Sequence, residues 1–135
     1  MWFAGKEKDK EGKMEIQTIC HEFTVCQVED DSLVNTEDAF CFIEKTDEEI
    51  SLVCRTSQAP ANTIQREDGW KAFRIRGVLD FSLIGILADI AAVLAKNGIS
   101  IFAISTYNTD YVLGKKENYQ KGLEMLKEAG YKIVD

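Results

Sequence analysis

The sequence predicts an α+β fold: two tandem βαββαβ units, the first degenerate, each an antiparallel sheet with its helices on one face. Three observations carry this reading. Residues 73–76 alternate apolar and charged at the two-residue period of a half-buried strand, and residues 83–94 repeat apolar side chains at helical spacing. The strand pattern of the second half also recurs, shortened, in the first.

The second half gives the elements in order. Trp70 to Leu79 (WKAFRIRGVL) sets Phe73 and Ile75 against Arg74 and Arg76, a strand with one wet face. Leu83, Leu87, Ile90 and Leu94 then fall on one helical stripe, with Ser82 placed to cap the start and Asn97-Gly98 to end it. Ile99 to Thr106 and Asp110 to Lys115 are apolar runs joined by a short polar turn around Asn108-Thr109, a hairpin. Glu117 to Ala129 carries Tyr119, Leu123 and Leu126 on one face, Gly130 stops it, and YKIV closes the chain as a last strand.

The repeat is read by laying the halves over each other. FTVCQVEDDSL, from Phe23, matches FRIRGVLDFSL, from Phe73, at an offset of 50, including Asp30 with Asp80 and Ser32 with Ser82. FCFIEKTDEEISLVC, from Phe40, lies over IFAISTYNTDYVLGK, from Ile101, and GWKAF, from Gly69, over GYKIV, from Gly130, both at an offset of 61. In this register Lys45 stands for Thr106, and Glu48 and Glu49 for Thr109 and Asp110. The change of offset removes about eleven residues, roughly three helical turns, where the first unit would have its long helix. The only proline, Pro60, falls where the second helix would be. Residues 1–13 then form a flexible charged tail, 14–72 the degenerate unit and 73–135 the complete one.

A βαββαβ unit is the ferredoxin-like arrangement, a four-stranded antiparallel sheet with one bare face. The stripe from Leu83 to Ala95 has Asp89 as its only charge, so its outer side also needs a cover, either the degenerate unit or another subunit. Unpaired sheet edges add to the demand, and a homodimer is expected.

Composition excludes several classes. Sixteen Lys+Arg against 23 Asp+Glu leave a formal charge of -7, the wrong sign for neutralising nucleic-acid phosphates or an anionic membrane. The longest apolar stretch is too short to span a bilayer, and the N-terminus lacks signal-peptide features, so a cytoplasmic location is expected. The four cysteines form no CxxC pair, and Cys20, His21 and Cys26 match no standard ligand spacing, so no metal is assigned. The sequence has no GxxxxGK, HExxH or GxSxG motif, and no catalytic residue or cofactor is assigned.

GVLDFSLIGILADIAAVLAKNGISIFAISTYNTDYVL, residues 77–113, resembles the ACT-domain proteins, with GISIFAISTYNTDYVL close to a signature. Over residues 14 to 135 the likeness is to small bacterial tandem ACT proteins, related to aspartate kinase regulatory regions and to cytosolic arginine sensors. The resemblance implies a regulatory module that binds a free amino acid between paired units. The implied pocket is lined by Asp80, Phe81, Ser82, Leu83 and Ile84 of the first loop and by Thr106, Tyr107, Asn108 and Asp110 of the hairpin. The chemistry fits: free N–H groups at a helix start suit a carboxylate, and Asp80 or Asp110 could take an ammonium. Phe81 and Ser82 stand where the family pattern has Pro-Gly, and Gly114 replaces a bulky apolar residue, which weakens the third strand or marks a close backbone approach. With no catalytic or DNA-binding domain attached, the output would pass through an unidentified regulated protein. The alternative is a protein–protein interaction or dimerisation module with a vestigial pocket.

Overall fold

The structure, a computed structural model, describes residues 14–76 and 85–135. The expected tail at 1–13 and first loop at 80–84 lie outside them. Seven strands occur among the described residues: β1 (Glu15–Val28), β2 (Cys41–Lys45), β3 (Ile50–Arg55), β4 (Thr63–Arg76), β5 (Ile101–Ser105), β6 (Asp110–Lys115) and β7 (Lys132–Val134). Two α-helices, α1 (Ile86–Lys96) and α2 (Lys116–Glu128), and a 3-10 turn at Thr56–Gln58 complete the described elements.

The chain divides into two compact units, and β1 and β4 contribute one end to each. An inserted unit spans His21–Trp70, and a framing unit joins the residues up to Cys20 to Lys71–Asp135. The sequence-based division at 72/73 had placed residues 14–20 with the earlier segment. They group with the later one because the last strand binds there: Glu15, Ile16 and Gln17 pair with Lys132, Ile133 and Val134. That pairing is parallel, where an all-antiparallel sheet was expected.

In the framing unit the strands run in the order β5-β6-β4-β1-β7. Their inward residues, Met14, Ile16, Phe73, Ile75 and Val112, meet Ile86, Ile90 and Leu94 of α1 and Leu123 and Leu126 of α2 in one core. Both helices therefore cover the same sheet face, as the βαββαβ pattern requires. Ile86, Ile90 and Leu94 face inward because they repeat every four residues. Asp89, the one charge of the expected stripe, accepts a hydrogen bond from the buried Tyr131 hydroxyl. Ala88, Ala92 and Ala95, on the outer side of α1, are exposed. The helices touch where α2 has no side chain: a Cβ on Gly122 would lie 3.4 Å from Leu94 Cδ2. Gly114 needs no such account, since a Cβ there would meet its nearest neighbours at 3.8 Å, an ordinary contact.

In the inserted unit the order is β2-β3-β1-β4, with β1-β3 and β2-β3 antiparallel. Cys26, Val28, Leu52 and Cys54 form its small core, flanked by Val34, Cys41, Ile50 and Ala59. Residues 29–40 are turns rather than a helix. Side chains tie them down: Asp30 accepts from the Ser32 backbone N–H, and Arg55 Nε donates to Asp38 Oδ2 at 3.0 Å. The fully buried Thr24 hydroxyl donates to Asp68 at 2.7 Å.

The two hairpins share one register, and it corrects the sequence alignment. Cys41 faces Cys54 and Lys45 faces Ile50, while Ile101 faces Gly114 and Ser105 faces Asp110, an offset of 60 rather than 61. Thr46, not Lys45, therefore corresponds to Thr106, and Glu49 and Ile50 to Thr109 and Asp110. The turns agree: Thr46 N–H donates to Glu49 O at 2.9 Å, and Thr106 N–H to Thr109 O at 2.8 Å. Gly69 and Gly130, which the sequence laid over each other, both take positive φ, 87° and 108°.

Candidate functional site

The hairpin from Thr106 to Asp110 is the part of the expected pocket that the structure describes. Its turn is closed by three contacts between two residues. Besides the backbone bond, the Thr106 hydroxyl donates to Thr109 O at 2.9 Å and Thr109 N–H lies 3.3 Å from Thr106 Oγ1. Thr106, expected to meet a ligand, thus spends its hydroxyl on the turn. Thr109, not assigned to the site from sequence, fixes the hairpin in space: its hydroxyl donates to the carbonyl of Ile75 on β4. Ile75 is next to Arg76, the last residue of β4, so the hairpin tip is held beside the C-terminal end of that strand.

The remaining hairpin groups differ in exposure. Tyr107 projects fully into solvent, at 104% relative exposure, and covers no core edge. Asn108 is exposed and Asp110 half-buried, and neither makes a side-chain hydrogen bond or ion pair among the described residues. Side chains alternate along β6, so Asp110 projects from the same sheet face as Val112, which lies in the core beneath the helices. Asp110 is thus a half-buried carboxylate without a partner among the described residues, on the helix side of the sheet. Asp80, Phe81, Ser82, Leu83 and Ile84 fall outside the described residues.

On the opposite face lies a cationic cluster that sequence reading took for a simple solvent face. Arg74 donates to Gln17 Oε1 at 2.9 Å and to the Tyr111 hydroxyl at 3.2 Å, and Arg76 donates to the same Gln17 oxygen at 3.0 Å. The Arg-Ile-Arg alternation was the available signal, but the glutamine that joins the two guanidiniums is 57 residues away from Arg74. A cleft of about 680 Å³ lies elsewhere in the framing unit, between α2 and the β1-β7 edge, and includes none of the expected pocket residues.

Three of the four thiols are set apart from any reactive role by burial. Burial raises the pKa of Cys26 and Cys41, and it pushes Cys54 up to about 12, helped by the two neighbouring cysteines. Such thiols stay protonated and poorly nucleophilic. No group of three or more His, Cys, Asp or Glu suited to a metal ion occurs among the described residues. No helix among them is long and apolar enough to cross a membrane.

Comparison with known proteins agrees with this architecture. The family model for the ACT domain matches residues 65–128. An Agobacterium tumefaciens protein of known crystal structure superposes with a TM-score of 0.80 at 24% identity, covering 90% of this chain and 92% of its own. A Vibrio cholerae protein of unknown function gives 0.72 at 21% identity, over 93% of this chain and 97% of its own. The ligand-free regulatory subunit of aspartate kinase from Thermus thermophilus gives 0.61 at 11% identity, over 84% and 96%. No curated protein matches the sequence. The fold and the match point to the same class: residues 65–128, just under half of the chain, match the ACT-domain model.

Proposed function

We propose that this chain is a regulatory sensor that binds a free amino acid through tandem ACT units, the inserted one degenerate, and acts by changing how those units pair. Asp110 carries the reading. A half-buried carboxylate without a described partner is costly unless something neutralises it, and an ammonium group is the natural complement. Thr109 ties the hairpin to Ile75 near the end of β4, the strand that precedes Asp80 to Ile84 in sequence, and the family resemblance assigns those residues to the ligand's carboxylate. The turns at 29–40 and the 3-10 turn at 56–58 support degeneracy of the inserted unit. In that unit Ile50 replaces Asp110, which leaves its hairpin without the ammonium acceptor. The exposed, uncharged outer side of α1 supports pairing of two copies. The output then goes to a separate regulated protein, because ligand binding can shift an arrangement only through differential affinity.

Thermal unfolding against each of the twenty amino acids at millimolar concentration tests this. A ligand bound only by the folded state raises the midpoint, and one present at 100 times its Kd stabilises by about 2.7 kcal/mol. One or two amino acids should raise it, and Asp110→Ala should remove the effect while unfolding at the ligand-free wild-type temperature. No rise with any of the twenty would favour the interaction module.

A further inference from the structure

The cleft of about 680 Å³ in the framing unit falls in the size range of small-molecule sites and belongs to no part of the proposed amino-acid pocket. Its existence follows from the strand lengths. β7 accompanies β1 only from Glu15 to Gln17, so Thr18, Ile19 and Cys20 line a gap facing α2. Tyr119, Leu123 and Lys127 recur every four residues along α2 and form the other wall.

Three features define what the cleft can hold. Its floor is apolar and fixed: Ile19 and Leu123 are 5% and 7% exposed, and the Tyr119 hydroxyl donates to Ala72 O at 2.6 Å. Burial also raises the Tyr119 pKa, which keeps the phenol neutral. One cation stands at the Tyr119 end, Lys71, whose ammonium lies 5.8 Å from the ring centroid and makes no ion pair among the described residues. Lys127, eight residues on, is about 12 Å away along the helix, too far to share a small anion. Glu124 and Asp135 also line the cleft, and they repel a multiply charged ligand.

We propose that this cleft binds a small amphiphilic monocarboxylate, its anionic group at Lys71 and its apolar body over Ile19 and Leu123. The site is independent of the hairpin pocket, so each can fail without the other. In a protein of net charge -7, recognition of an anion depends on such a local cation.

Titration of 3-phenylpropionate into the isotope-labelled full chain, followed by amide chemical shifts, tests the proposal, with 3-phenylpropanol and inorganic phosphate in parallel. The acid should move the amides of 18–20 and 119–127 with a Kd of about 1 mM, as a ligand of this size allows. The alcohol and phosphate should bind at least about tenfold more weakly, Lys71→Gln should lose about tenfold in affinity, and Lys71→Arg should keep most of it. Asp110→Ala should bind the acid as the wild type does. Absence of shifts in the cleft, equal binding of the alcohol or phosphate, or full affinity in a folded Lys71→Gln would overturn the proposal. So would binding there of an extended peptide but not of the acid.

Discussion

Asp110 and the three buried or half-buried thiols show how position alone gives one residue a binding task and others none. At Asp110 the short hairpin leaves a carboxylate unpartnered among the described residues, on the helix side of the sheet, whereas Cys54 is surrounded by apolar neighbours and two further cysteines. The Cys54 shift gives a pH prediction. Its pKa is raised in the folded state, from the ordinary value of 9.0 to about 12, so its contribution to stability is complete below pH 9 and is lost as pH rises toward 12. Burial raises Tyr119 and Tyr131 in the same direction. The urea midpoint should therefore fall between pH 8 and pH 10.5, and a thiol reagent at pH 8 should label the exposed Cys20 rapidly while sparing Cys26 and Cys54 until the chain unfolds. Labelling of all four thiols at one rate in the folded protein would contradict this burial. Of the site residues, those in the turn were legible because Thr, Asn and Asp favour turns locally. The tie from Thr109 to Ile75 was not, since it joins residues 34 apart in sequence.

The elements were legible wherever period and burial coincide. Ile90 and Leu94, and Phe73 and Ile75, are buried at the spacings that predicted a helix and a strand, while Ile86 takes the fully buried place expected of the half-buried Leu87. The hairpin register was not legible, because apolar matches tolerate a one-residue slip that backbone pairing does not. β1 also begins well before the matched Phe23, because its early residues, EIQTICHE, mix polar and apolar side chains too evenly to announce a strand. The meeting of α1 and α2 at Gly122 supplies a test of packing. Gly122→Ala adds a methyl at ordinary contact distance from Leu94 and improves helix propensity, so it should be neutral or stabilising by up to about 1 kcal/mol. Gly122→Leu should overpack the contact and destabilise by about 1–3 kcal/mol. Denaturant unfolding measures both, and a stabilising Leu would show that the helices are not in contact there.

The whole molecule is a framing unit split in sequence by an inserted one, which is why a boundary drawn along the chain could not reproduce it. Two non-contiguous segments join through the pairing of β1 with β7, and no local sequence signal marks a parallel partner 117 residues away. At this scale the proposed function predicts a dimer. Light scattering should give about 30 kDa, twice the 15.2 kDa chain, and Ala92→Glu, on the exposed side of α1, should shift the protein toward the monomer. A wild-type mass of 15.2 kDa at high micromolar concentration would remove the pairing from the proposal. The central claim, that the hairpin and the first loop form one amino-acid site, is tested most directly by amide chemical shifts recorded on adding the amino acid that raises the unfolding midpoint. The account predicts shifts concentrated at 80–84 and 106–110 that vanish in Asp110→Ala. Shifts confined to other residues, or unchanged in that variant, would contradict it.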